Sequence, residues 1–111
     1  GLFALWVAYE CDTFSGIACC SGSLWFKDWD IYMREHTLKR QCSVYLSLGG
    51  KEEKTKNVVM ANVGDRTREQ EKLLLEDPLA ERVVLEWNPG GHFADSGKRL
   101  AKGIRWLMEK E

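Results

Sequence analysis

Histidine is scarce in this chain, with two residues among 111, and the paired CxxC spacing that holds zinc is missing although four cysteines are present. Cys11, Cys19, Cys20 and Cys42 therefore argue against a metal site. Adjacent Cys19 and Cys20 would point to opposite faces of a strand, so at best one of them could bridge to Cys11 or Cys42. All four are read as reduced, which favours the cytoplasm. No apolar run reaches the ~18 residues of a membrane span, and no cleavable signal with a basic start opens the sequence. Excess charge is missing too: 16 basic residues stand against 17 acidic ones, a net charge of −1. No broad field draws nucleic acid or an anionic membrane, and neither is expected as a partner.

What is present describes one soluble domain spanning residues 1–111. The chain is 44% hydrophobic and 30% charged, with no internal repeat, low-complexity tract or linker. Five tryptophans call for a large aromatic core or an aromatic-lined pocket. Trp6, Trp29 and Trp106 are assigned to the core or to packing, whereas Trp25 fits a pocket and packing equally.

The opening "GLFALWVAYE" has no helix cap, carries no charge before Glu10 and is apolar on nearly every side, the pattern of a buried helix entered midway. A turn, "DTFSG", leads to the short apolar run "IACCS", suited to a buried strand. An amphipathic helix is expected from Asp28 to His36, and a second strand in "CSVYLSLGG". One long helix is expected over "NVVMANVGDRTREQEKLLLE", with Met60, Val63, Thr67, Gln70 and Leu74 roughly on one face, stopped at Asp77-Pro78. "RVVLEWN" reads as a third strand. Leu100, Ala101, Ile104, Leu107 and Met108 then mark an amphipathic helix. The order α-β-α-β-α-β-α implies an α/β fold with about three parallel strands, joined by right-handed crossovers and carrying function in the loops at their carboxyl ends.

Three strand ends hold the chemistry-bearing residues: "SGSLW", "GGKEEK" and "NPGGHF". His92, one of the two histidines, stands in a glycine turn between a strand and a helix, exposed and able to exchange protons near neutral pH. Parallel strands would bring Glu52 or Glu53 onto the same rim, and an acid and a histidine form two thirds of a hydrolytic triad. Tyr45-Leu46-Ser47-Leu48-Gly49 imitates a nucleophile elbow, but Tyr45 occupies a position that needs a small side chain and Ser47 falls within a strand pattern, so Ser47 is structural. His36, near a helix end, is also structural.

Taken together, "GLFALWVAYE", "FSGIACCSGSLWF", "VYLSLGGKEE", "LEWNPGGHFAD" and "RLAKGIRWLM" resemble the C-terminal half of the putative-esterase family of α/β-hydrolases, which includes siderophore esterases, feruloyl esterases and the esterase D type. The resemblance covers essentially the whole chain. It implies that Gly1 is the last glycine of a nucleophile elbow whose serine lies just upstream. His92 matches the triad histidine and Glu52 the acid, in a G-x-x-D/E turn beginning at Gly49, with Glu53 the second choice. Gly90 and Gly91 let the loop turn sharply. Ser21, Ser23 and Trp25 match the loop lining the substrate pocket. The implied activity is serine-dependent cleavage of a small-molecule carboxylic ester, without a cofactor, in a protein of which this chain carries only the acid and the histidine. Self-association, or pairing with the missing N-terminal half, follows from a sheet edge left uncovered. The alternative is a non-catalytic α/β binding or interaction module.

Overall fold

The computed structural model describes residues 2–20, 22, 24–54, 56–89 and 96–109. Helix α1 (Leu2–Glu10) leads into β1 (Gly16–Cys20), α2 (Trp29–Glu35) and β2 (Cys42–Gly49). A 3₁₀ turn (Glu52–Lys54), α3 (Val58–Ala61), α4 (Val63–Glu76), β3 (Ala80–Asn88) and α5 (Ser96–Met108) complete the order. The three strands form one sheet in the order β1-β2-β3, and both pairings are parallel. The fold is α/β with a parallel sheet flanked by helices, as the alternation of periods implies.

The central strand shows why the fold holds. All eight residues of β2 are buried, the mark of a strand covered on both faces. Cys42, Val44, Leu46 and Leu48 face one way; the first three join a core with Leu5, Tyr9, Trp29, Met33 and Leu74 from α1, α2 and α4. Tyr45 faces the other way, against Trp106 of α5 at 5.8 Å between ring centroids. Helix α5 comes close to the sheet because Gly103 has no side chain. A Cβ there would lie 3.0 Å from the Tyr45 ring and 3.2 Å from Ala18 Cβ.

Four expectations need correction. The long helix over residues 57–76 is two helices, α3 and α4, separated at Asn62, whose backbone (φ −67°, ψ −8°) lies towards the bridge region. Asparagine competes for backbone hydrogen bonds and favours such breaks. Val63, Thr67, Gln70 and Leu74 do share a buried face, but Met60, beyond the break, is exposed. Helix α1 buries one side only: Leu5, Ala8 and Tyr9 are covered, while Phe3 and Trp6 are exposed, so Trp6 is not a core residue. Helix α5 turns Arg99, Gly103, Trp106 and Leu107 towards the sheet and leaves Leu100, Ile104 and Met108 exposed. Its most regular apolar stripe thus faces away from the described core, because the close approach at Gly103 decides which side packs.

Candidate functional site at the carboxyl rim

Parallel pairing aligns the strand ends. Cys20 of β1 lies opposite Ser47, and Gly49 of β2 lies opposite Asn88 of β3. The Gly50 N–H donates to the Asn88 carbonyl at 2.7 Å, carrying the β2–β3 pairing into the loop. The chain then winds into the 3₁₀ turn, and this reverses the Glu52 side chain onto its own strand end. Glu52 Oε2 accepts the Gly49 N–H at 2.6 Å. A carboxylate that accepts a backbone amide in this way is held in place.

The same oxygen lies 3.6 Å from Arg99 Nη1, and both side chains are buried, 7% and 3% exposed. Arg99 Nη2 donates to the Pro89 carbonyl at 3.0 Å. The backbone carbonyl of Arg99 accepts the Cys20 thiol at 3.7 Å. A single residue of α5 therefore touches the ends of β1 and β3 and the turn after β2. Arg99 was not singled out in the sequence. The available signal was a cation in the first turns of a helix, where the dipole disfavours it.

Glu53 has a different environment. Both of its oxygens bind the Arg68 guanidinium, at 3.2 and 3.0 Å, on the flank of α4. Gly64 leaves room for it, since a Cβ there would fall 2.1 Å from Glu53 Oε1. The two neighbouring carboxylates are thus separated, Glu52 at the rim and Glu53 on the helix flank.

Of the other expected site residues, Trp25 is half-buried in the loop after β1, tilted against Phe26 at 6.5 Å between centroids. Ser21, Ser23, Gly90, Gly91, His92 and Gly1 lie outside the described residues. Pro89, bonded to Arg99, is the last described residue before the His92 segment. The start of α1 lies beside the loop after β1, for a Cβ on Gly22 would lie 3.4 Å from the Leu2 nitrogen. A cavity of about 390 Å³ opens next to it, walled by Leu2, Phe3, Trp6, Phe26, Trp29 and Tyr32, with Lys27 the one charged lining residue among the described residues.

Ser47 lies inside β2, 1% exposed, and its Oγ is without a hydrogen-bond partner among the described residues. A strand-interior serine closed to solvent cannot meet a substrate. His36 caps the end of α2, where Nδ1 donates to the Tyr32 carbonyl at 2.8 Å and the ring stacks on Tyr32 at 3.8 Å. The four cysteines are free thiols. Burial pushes the Cys19 thiol up to about 11, far from a reactive thiolate. Among the described residues no group of His, Cys, Asp and Glu is arranged to hold a metal ion, and no helix is long and apolar enough to cross a membrane.

Chemically, the rim offers a buried carboxylate acceptor, linked through Arg99 to the chain that leads to a histidine. Comparison of the sequence with protein-family models, and with curated proteins and solved structures, finds no match.

Proposed function

We propose that this chain is the acid-and-histidine portion of a serine hydrolase that cleaves a small-molecule carboxylic ester. The observation that carries the reading is the Glu52 carboxylate, buried at the carboxyl rim, held by the Gly49 amide and linked through Arg99 to Pro89, three positions before His92. In this reading His92 accepts the proton of a serine hydroxyl as the serine attacks the ester carbonyl. The same proton then goes to the departing alkoxide, and water repeats the cycle on the acyl-enzyme. Glu52 fixes the imidazole tautomer and stabilises the imidazolium. The nucleophile belongs to a segment outside these 111 residues, joined to the start of α1, which lies at the same rim. The resemblance assigns Trp25, with Ser21 and Ser23, to the substrate pocket. No cofactor takes part, and four free thiols favour the cytoplasm.

A second reading, an α/β interaction module without chemistry, has an observation of its own. Phe3 on α1 and Leu100, Ile104 and Met108 on α5 are exposed, and β1 has no partner on its outer side among the described strands. Exposed apolar faces and sheet edges recruit other chains, through self-association or through the rest of a larger protein.

One experiment separates the two. The 111-residue chain and the longest natural protein that carries it are assayed on a short-chain aryl ester, then labelled with a serine-directed phosphonate. The esterase reading expects turnover and labelling in the longer protein, and only slow background cleavage without labelling in the chain. Rapid turnover with labelling at Ser47 would place the nucleophile in β2 after all. A longer protein that is inactive and unlabelled, with the chain self-associating in light scattering, would leave the interaction module.

A further inference from the structure

The charge on Arg99 is costly where it lies. It is the one charged residue that is fully buried among the described residues, and it sits at the fourth position of α5, close to the end whose dipole repels a cation. A side chain held there against desolvation and dipole is compensated by what it binds. Its partners are the Glu52 carboxylate in the turn after β2 and the Pro89 carbonyl after β3, and its own carbonyl binds the Cys20 thiol at the end of β1. A planar guanidinium reaches two acceptors at fixed angles, and an ammonium on a flexible stem does not.

We propose that Arg99 is the positioning residue of the rim, the clamp that sets Glu52 and the chain leaving β3 at a fixed separation. The proposal rests on the esterase reading for its catalytic meaning, but its geometry is independent of that reading. Arg99 touches no substrate. It acts through Glu52, by keeping the carboxylate seated on the Gly49 amide, and through Pro89, by fixing where the following loop departs. In an enzyme of this kind a misplacement of about 1 Å between reacting groups costs on the order of 100-fold in rate.

The test has two arms. In the longest natural protein that carries the chain, Arg99→Ala should lower kcat on an aryl ester by about 100-fold with little change in KM, and Arg99→Lys should recover only part of it. Added guanidinium should restore turnover to Arg99→Ala, a rescue that a merely space-filling role would not give. In the 111-residue chain, hydrogen exchange at the Gly49 amide should quicken at least tenfold in Arg99→Ala and slow again with guanidinium. If Arg99→Ala does not fold, as judged by circular dichroism, Arg99→Lys is read in its place and should show a smaller loosening in the same direction. Full kcat in the variants, or unchanged Gly49 exchange, overturns the clamp. An inactive wild-type protein in which the exchange arm still responds sinks the esterase reading and leaves the clamp standing.

Discussion

Gln70 Nε2 donates to the Tyr9 hydroxyl at 2.7 Å, across 61 positions of sequence, in a space where neither residue is more than 1% exposed. The amide oxygen of Gln70 accepts the Trp29 indole N–H at 2.9 Å. One buried glutamine therefore joins α1, α2 and α4 and satisfies the polar ends of two aromatic core residues.

Replacing it should be expensive. Gln70→Ala removes both bonds, leaves the indole N–H buried without an acceptor and opens a cavity, so urea unfolding should show a loss of about 2–4 kcal/mol. Gln70→Met keeps the volume and should still lose about 1–3 kcal/mol for the stranded donor. Equal stability of Gln70→Met and the natural chain would mean that the bridge adds nothing beyond packing.

The Gln70 bridge also illustrates which parts of this protein are legible in sequence. The shared face of Val63, Thr67, Gln70 and Leu74 follows from helical spacing, and the strands follow from short apolar runs ended by glycine, proline or a polar turn. The rim followed as well, since parallel strands must align their carboxyl ends. What escaped depended on contacts between elements. Spacing along α5 marks Leu100, Ile104 and Met108 as its apolar face, yet the side that packs is chosen by the absence of a Cβ at Gly103. Spacing places Glu52 and Glu53 in one mixed-charge run, and only the 3₁₀ turn, with Arg68 on one flank and Arg99 on the other, separates them. Arg99 itself looks like any helix cation until Glu52 and Pro89 are beside it.

The glycines of α5 should respond in opposite ways. A Cβ at Gly97 meets nothing within 4 Å among the described residues, so Gly97→Ala should stabilise by up to about 1 kcal/mol through helix propensity. Gly103→Val would push into the Tyr45 ring and Ala18 and should cost about 1–3 kcal/mol through overpacking. Thermal melts of the two variants give the signs directly, and a stabilising Gly103→Val would contradict the described seat of α5.

Stability should also fall in alkali, with a sign that can be worked out. The Cys19 thiol ordinarily ionises near 9.0 and is pushed up to about 11 by burial; Cys42 is raised to about 11, also by burial. The folded state keeps these protons at a pH where the unfolded chain has lost them. Their contribution is complete below about pH 9 and is lost as pH rises from 9 through 11, at no more than about 1.4 kcal/mol per pH unit for each thiol. Urea midpoints at pH 8, 9.5 and 10.5 should therefore decline, and the decline should be shallower in Cys19→Ala. Parallel curves for the variant and the natural chain would remove Cys19 as a cause.

The sharpest discrimination lies between the two adjacent glutamates. Glu53 binds Arg68 through side chains 28% and 49% exposed, and an exposed pair of that kind contributes about 0–1 kcal/mol. Glu53→Gln should therefore change stability little and, on the esterase reading, leave ester turnover intact. Glu52→Gln leaves the buried Arg99 guanidinium facing a neutral amide, a change of the type that costs about 3–5 kcal/mol. On the esterase reading it should also lower kcat/KM by about 100-fold or more in the longest natural protein that carries the chain, since in that reading the acid stabilises the imidazolium and sets the tautomer of His92, and an amide does neither. Both variants are compared at a temperature where each remains folded, so that the loss of stability does not pass for a loss of chemistry. If Glu53→Gln abolishes turnover while Glu52→Gln keeps it, the acid is the second glutamate and the carboxylate seated on Gly49 is structural.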